Sequence, residues 1–107
     1  MTTIITELMP KYDARKSFHG KAKVETDTEL GVTSLYSYGT LVAAVFWYMG
    51  DNGRAAVYGD YSATTLRHIK EFLKQHGFTA KTKDQILADY APFKEQILTD
   101  YTPKGWD

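Results

Sequence analysis

Residues 59–77, GDYSATTLRHIKEFLKQHG, read as one complete helix with a start signal, a single apolar stripe and a stop signal. Ser62 stands at the N-cap, where its hydroxyl accepts a bond from an otherwise orphan backbone N–H. Leu66, Ile69, Phe72, Leu73 and His76 follow helical spacing and share one face. Gly77 takes the position after the C-cap, which favours a left-handed backbone. Phe78 falls where a Schellman cap sets a hydrophobic contact back to Leu73. A helix with one apolar side packs inward by that side, so the rest of the chain has to supply the surface that receives it.

That surface is legible upstream. VTSLYSYGTLVAAVFWY, residues 32–48, is dense in β-branched and aromatic residues and reads as strand, with a break or bend at Gly39. Its second half, Leu41 to Tyr48, is apolar on both alternating sets, as in a central strand covered on both faces. GDNG, residues 50–53, is a hairpin turn, and RAAVYGDY returns as the partner strand. Before them KSFHGKAKVET is extended, with Gly20 marking a bulge or a tight approach. DTELG, residues 27–31, is a turn-rich connector. The first ten residues form a short helix or a loose arm ending at Pro10, because the residue before proline is pushed out of the helical region.

After the main helix, TKDQILADYA opens another with a capping box, Thr82 and Gln85. Pro92 either kinks it or starts a further helix at its first position, and Phe93, Ile97, Leu98 and Tyr101 continue an apolar stripe. Strands followed by helices argue an α+β fold: a small antiparallel sheet of about three strands packed by one long helix, then one or two C-terminal helices. The expected layout is a single domain, 1–107, with an arm at 1–10 and a β-sheet region at 16–61. The main helix occupies 62–77, the C-terminal helical region 82–101 and a frayed tail 102–107.

Composition excludes several classes. With 43% hydrophobic, 14% aromatic and 24% charged residues, the chain builds a core without staples and is not globally disordered. Absence of cysteine removes disulfides, thiolate metal sites and thiol nucleophiles. The longest apolar run, Leu41 to Met49, is nine residues, against the ~20 needed to span a bilayer. The charge order of the first residues is the reverse of a secretory signal, so a cytoplasmic protein is expected, with no membrane partner. Net charge is zero but blocked: residues 11–23 hold five cations and one anion, and residues 62–83 repeat that balance. Residues 84–101 hold four anions and one cation. Separate basic and acidic patches follow.

Candidate chemistry is sparse. His19, His68 and His76 show no paired ligand spacing, so no metal or cofactor is expected. No nucleophile elbow, dinucleotide loop or Walker loop is present, and no enzyme is expected. The outer side of the main helix carries Arg67, Lys70 and Lys74 at i, i+3, i+7, with Glu71 between them to blunt the patch. It is either a solvated face or an electrostatic contact with nucleic acid or an acidic protein. Tyrosine is in excess, eight in 107 residues. Tyr36 and Tyr38 share a strand face and Tyr61 stands at the turn into the helix. Such tyrosines are half-buried sheet residues or interface anchors.

Three stretches together resemble a family of small, largely uncharacterised proteins encoded on plasmids and phages of Gram-positive bacteria. They are Ser17, Phe18, Gly20, Lys21 and Ala22; Ser37, Tyr38, Thr40 and Val42; and Ser62, Thr64, Thr65, Arg67, His68, Ile69, Glu71, Phe72 and Leu73. The resemblance covers residues 16–77. It implies accessory cargo of a mobile element, and some similar proteins look like inhibitors of CRISPR effectors such as Cas9. The expected function is therefore stoichiometric protein binding, as an anti-CRISPR inhibitor of a Cas9-type effector, through Arg67, Lys70, Lys74, Tyr36, Tyr38 and Tyr61. In that reading the acidic 84–101 segment meets the effector's basic nucleic-acid channel. The alternative is a nucleic-acid-binding accessory protein of a plasmid or phage.

Overall fold

Strands β1 (Thr3–Glu7), β2 (Ala22–Asp27), β3 (Val32–Ser37), β4 (Thr40–Phe46) and β5 (Arg54–Val57) pair antiparallel in chain order. Helices α1 (Ala63–Gln75) and α2 (Lys83–Tyr90) follow. The computed structural model describes residues 3–47, 53–58 and 62–90. Within them the fold is α+β, with five strands rather than about three. Two local facts make the difference. Residues 3–7, expected as a short helix or loose arm, form β1 against β2. Thr3, Ile4, Ile5 and Thr6 are β-branched and stiff at χ1, and β2 offers an open edge to pair with. Residues 32–46 form two strands, so the break expected at Gly39 is a full reversal of the chain. Tyr38 and Gly39 both take positive φ, 53° and 80°, which is the two-residue turn whose twist matches the strands it joins.

The core lies between one face of the sheet and the helices. Leu35, Ala43, Val45 and Val57 meet Ile69, Phe72 and Leu73 of α1 and Ile86 of α2. Val32, Ala44, Phe46 and Ala56 form a smaller cluster, so β4 is buried on both alternating sets, as its sequence expects. The stripe of α1 is buried at Ile69, Phe72 and Leu73 and half-buried at Leu66 and His76.

Both ends of α1 use the expected chemistry. The Ser62 hydroxyl accepts from the Thr65 N–H at 3.4 Å. At the other end Gly77 has φ +83°, and the Phe78 N–H donates to the Leu73 carbonyl at 2.9 Å. His76 Nδ1 donates to the Phe72 carbonyl at 2.9 Å, which satisfies one more terminal acceptor. α2 starts on half of the expected capping box: the Gln85 N–H donates to Thr82 Oγ1 at 3.1 Å, while Gln85 Oε1 accepts from the Lys81 N–H at 2.7 Å rather than from that of Thr82. The turn residues 50–52, the continuation 91–101 with Pro92, and the tail 102–107 lie outside the described residues.

Phe72 is fully buried at the centre of this packing. Phe72→Ala is expected to cost about 3–5 kcal/mol of stability, whereas Lys74→Ala on the exposed side should cost under ~0.5 kcal/mol. Thermal and urea melts of the two variants check the contrast, and equal costs would contradict this packing.

Candidate functional site

The segment between β1 and β2 has no regular structure, yet it is fixed. Glu71 of α1 is only 2% exposed, and its carboxylate accepts three consecutive backbone N–H groups from that segment. Lys11 donates to Oε2 at 2.9 Å, while Tyr12 and Asp13 donate to Oε1 at 2.9 and 3.0 Å. Gln75 Nε2 donates both to Glu71 Oε2 and to the Met9 carbonyl, the latter at 2.7 Å. A buried carboxylate is tolerable only when its lone pairs are filled, and charge-assisted bonds fill them here. Asp13 Oδ1 then accepts the Arg15 N–H at 2.9 Å, which carries the clamp two residues further. Residues 11–16 thereby become a strap lying on α1.

The strap closes one side of a depression of about 290 Å³. Three cations line it, each from a different segment: Arg15 from the strap, Lys21 from the turn before β2, and Arg67 from α1. His19, Tyr38 and the hydroxyl residues Ser17 and Thr64 complete the wall, with His68 and Phe18 beneath. Among the described residues, no carboxylate lines the depression. Arg67 reaches the largely buried Asp13 carboxylate at 3.9 Å, at the limit of an ion pair, so an anion stands just behind the cationic wall. The Lys21 carbonyl accepts the Tyr38 N–H at 2.8 Å, which fixes the β3–β4 turn beside the start of β2. A second depression of about 360 Å³ adjoins on the other side of this tie, lined by Gly20, Lys21, Lys23, Tyr36, Tyr38 and Gly39. The two share Lys21 and Tyr38.

His68 is 2% exposed, and burial lowers its pKa below the ordinary 6.5, with the Asp13 carboxylate acting weakly in the opposite sense. The ring is therefore neutral near pH 7. Its Nδ1 lies 2.8 Å from Ser37 Oγ, which in turn lies 3.1 Å from Thr65 Oγ1. A serine beside a histidine raises the question of a nucleophile and its base. Ser37 is buried between β3 and α1, however, and this hydroxyl–imidazole chain bridges the two elements. Phe18 packs on the same ring at 4.6 Å and Tyr38 at 5.8 Å. Burial, and secondarily the Glu25 carboxylate, push the Tyr36 hydroxyl above its ordinary pKa, so it stays a neutral donor.

Of the residues singled out by sequence, Arg67, Tyr36 and Tyr38 come together here. Lys70 and Lys74 do not. They line a shallow dip of about 50 Å³ with Arg67, Tyr12, Asp13 and Glu71. Tyr61 lies outside the described residues. Glu71, expected between the cations as a blunting charge, is turned inward onto the strap, where three amide donors hold it. Arg15 and Lys23 do not stand out individually in the sequence, His19 enters there only as a candidate metal ligand and Lys21 only through the resemblance, although the basic block 11–23 contains all four. The three stretches that carry the family resemblance supply Ser17, Phe18, Lys21, Tyr38, Thr64, Arg67 and His68, and all seven line the first depression. Among the described residues no group of three histidines or carboxylates stands together to hold a metal ion, and no helix is long and apolar enough to cross a membrane.

Glu71→Ala removes the acceptor for three amides at once. Stability should fall by about 2–3 kcal/mol, and amide exchange at residues 11–13 should accelerate far more than in the core of α1. Unchanged protection of those amides would contradict the clamp.

No curated protein and no solved structure matches the chain. A family model covers residues 6–88, from β1 into α2, and so contains every residue of both depressions. That model is described as a family of unknown function (DUF8033), and the chain belongs to this family.

Proposed function

We propose that the protein is a non-catalytic binding module for single-stranded nucleic acid, held on the two adjoining depressions. The observation that carries this reading is the shared rim: Arg15, Lys21, Lys23 and Arg67 gathered around Tyr36 and Tyr38, with Tyr38 57% exposed between the two hollows. Cations that track a phosphate backbone, interleaved with aromatic faces on which bases stack, are what sequence-tolerant single-strand binding requires. The concave, tyrosine-bearing surface suits unstacked bases better than the convex wall of a duplex.

The same geometry weighs against the effector-inhibitor reading as the primary one. A basic face has the wrong sign for a basic nucleic-acid channel. Of the acidic segment 84–101, only Asp84 and Asp89 are among the described charges, and Asp89 accepts from Gln85 Nε2. Occupation of an effector surface therefore draws its support from the resemblance, and nucleic-acid binding draws its support from the site.

Fluorescence anisotropy with short single-stranded DNA and RNA, repeated over a salt series, tests the proposal. Four engaged cations imply a log–log salt slope of about −3. Tyr38→Asn keeps a residue that accepts positive φ and removes the stacking face, so it should weaken binding by about 1–3 kcal/mol. Lys70→Ala should leave affinity unchanged. The reading fails if no strand binds at low salt, or if binding ignores both salt and Tyr38.

A further inference from the structure

The two depressions are chemically unequal. The second is open and aromatic, with Lys21 and Lys23 as its cations. The first is crowded with donors: two guanidinium groups, one ammonium, the His19 ring and the Ser17 and Thr64 hydroxyls, with no carboxylate in its lining among the described residues. A phosphodiester inside a strand has a single negative charge and two free oxygens. A terminal phosphate monoester near pH 7 carries close to two charges and three acceptor oxygens. Arg15 and Arg67 each present a planar fork that fits phosphate oxygens two at a time, and Lys21 adds a point charge. Three cations converging from three segments exceed what one internal phosphate needs, and they match a monoester.

Two tight turns meet at the same place. Among the described residues, His19 and Tyr38 are the non-glycine residues with positive φ, 56° and 53°, and each is followed by a glycine with positive φ. Tyr38–Gly39 joins β3 to β4, and His19–Gly20 is closed by the Lys21 N–H donating to the Phe18 carbonyl at 3.0 Å. Each turn sets its non-glycine residue on the rim of the first depression. The His19 turn is tied further: the His19 N–H donates to Ser17 Oγ at 2.9 Å, and the Gly20 N–H donates to Glu7 Oε2 at 3.0 Å.

We infer that the first depression captures the terminal phosphate monoester of a nucleotide, with the adjoining base or bases on Tyr38 and Tyr36. This rests on the nucleic-acid reading above and adds an end preference to it. One ligand chemistry has two sources here, the phosphorylated end of a strand and a free mononucleotide, and the experiment separates them.

The test compares one internally labelled oligonucleotide in three forms: 5′-phosphorylated, 3′-phosphorylated and with hydroxyls at both ends. One phosphorylated form should bind at least about tenfold tighter than the hydroxyl form, the size of one or two charge-assisted hydrogen bonds. Arg67→Gln and Arg15→Gln, both at exposed positions, should erase that preference while the hydroxyl form still binds. Lys23→Gln should weaken all three forms alike. Competition with a nucleoside monophosphate identifies the source. Weak competition assigns the hollow to strand ends, and competition as strong as that of the phosphorylated strand assigns it to free nucleotide. Equal binding of all three forms overturns this inference and leaves single-strand binding standing. Absence of binding by every strand overturns both.

Discussion

One buried carboxylate organises the cation-bearing end of this molecule. Glu71 faces three successive amides of a segment with no strand or helix of its own, and those amides have nowhere else among the described residues to spend their hydrogen bonds. An isolated carboxylate beneath a loop would be strongly unfavourable, and a loop of unpaired amides against a helix would be too. Together each satisfies the other. The consequence is positional: Arg15 is brought from the strap to the side of α1 that carries Arg67, and a cationic wall forms from residues 52 positions apart in sequence.

Around that clamp the site is assembled at seams rather than on any one element. The tight β3–β4 turn projects Tyr38, the turn before β2 projects His19 and Lys21, and the first turns of α1 contribute Thr64 and Arg67. Two ties hold the seams in register. One is the backbone bond from Tyr38 to Lys21; the other is the buried chain Thr65–Ser37–His68 between β3 and α1. A neutral His68 suits this arrangement, since a charged ring under three cations would add repulsion to the desolvation cost. The interior of the fold is thus an ordinary helix-on-sheet core, and the polar bridges are concentrated under the surface that gathers the cations.

How much of this was legible in the sequence depended on range. The ends of α1 were readable because a cap is chemistry between neighbours: Ser62 with Thr65, Gly77 and Phe78 with Leu73. The double-sided burial of β4 was readable because both of its alternating sets are apolar. β1 was not, because Pro10 marks where a segment ends without saying what it was, and its strand pairing depends on β2 lying alongside. Glu71 was misplaced for a similar reason. An acidic residue between two lysines on a helix is solvated by default, and its partners lie about 60 positions earlier. The candidate surface was half visible. Arg67, Tyr36 and Tyr38 stood out by type and spacing. The helical period, however, grouped Arg67 with Lys70 and Lys74, whereas the fold groups it with Arg15 and Lys21. The three stretches quoted for the resemblance hold Lys21, Tyr38 and Arg67, but neither Arg15 nor His19.

On the function proposed, the strap, the β3–β4 turn and the start of α1 form one anion-binding face. Chemical-shift mapping of the isotope-labelled protein with a single-stranded oligonucleotide decides this. The perturbed amides and side chains should cluster at Arg15, His19, Lys21, Tyr38 and Arg67, with α2 and β5 silent. Perturbations gathered instead on β1, β5 or α2, with that cluster unmoved, would contradict it.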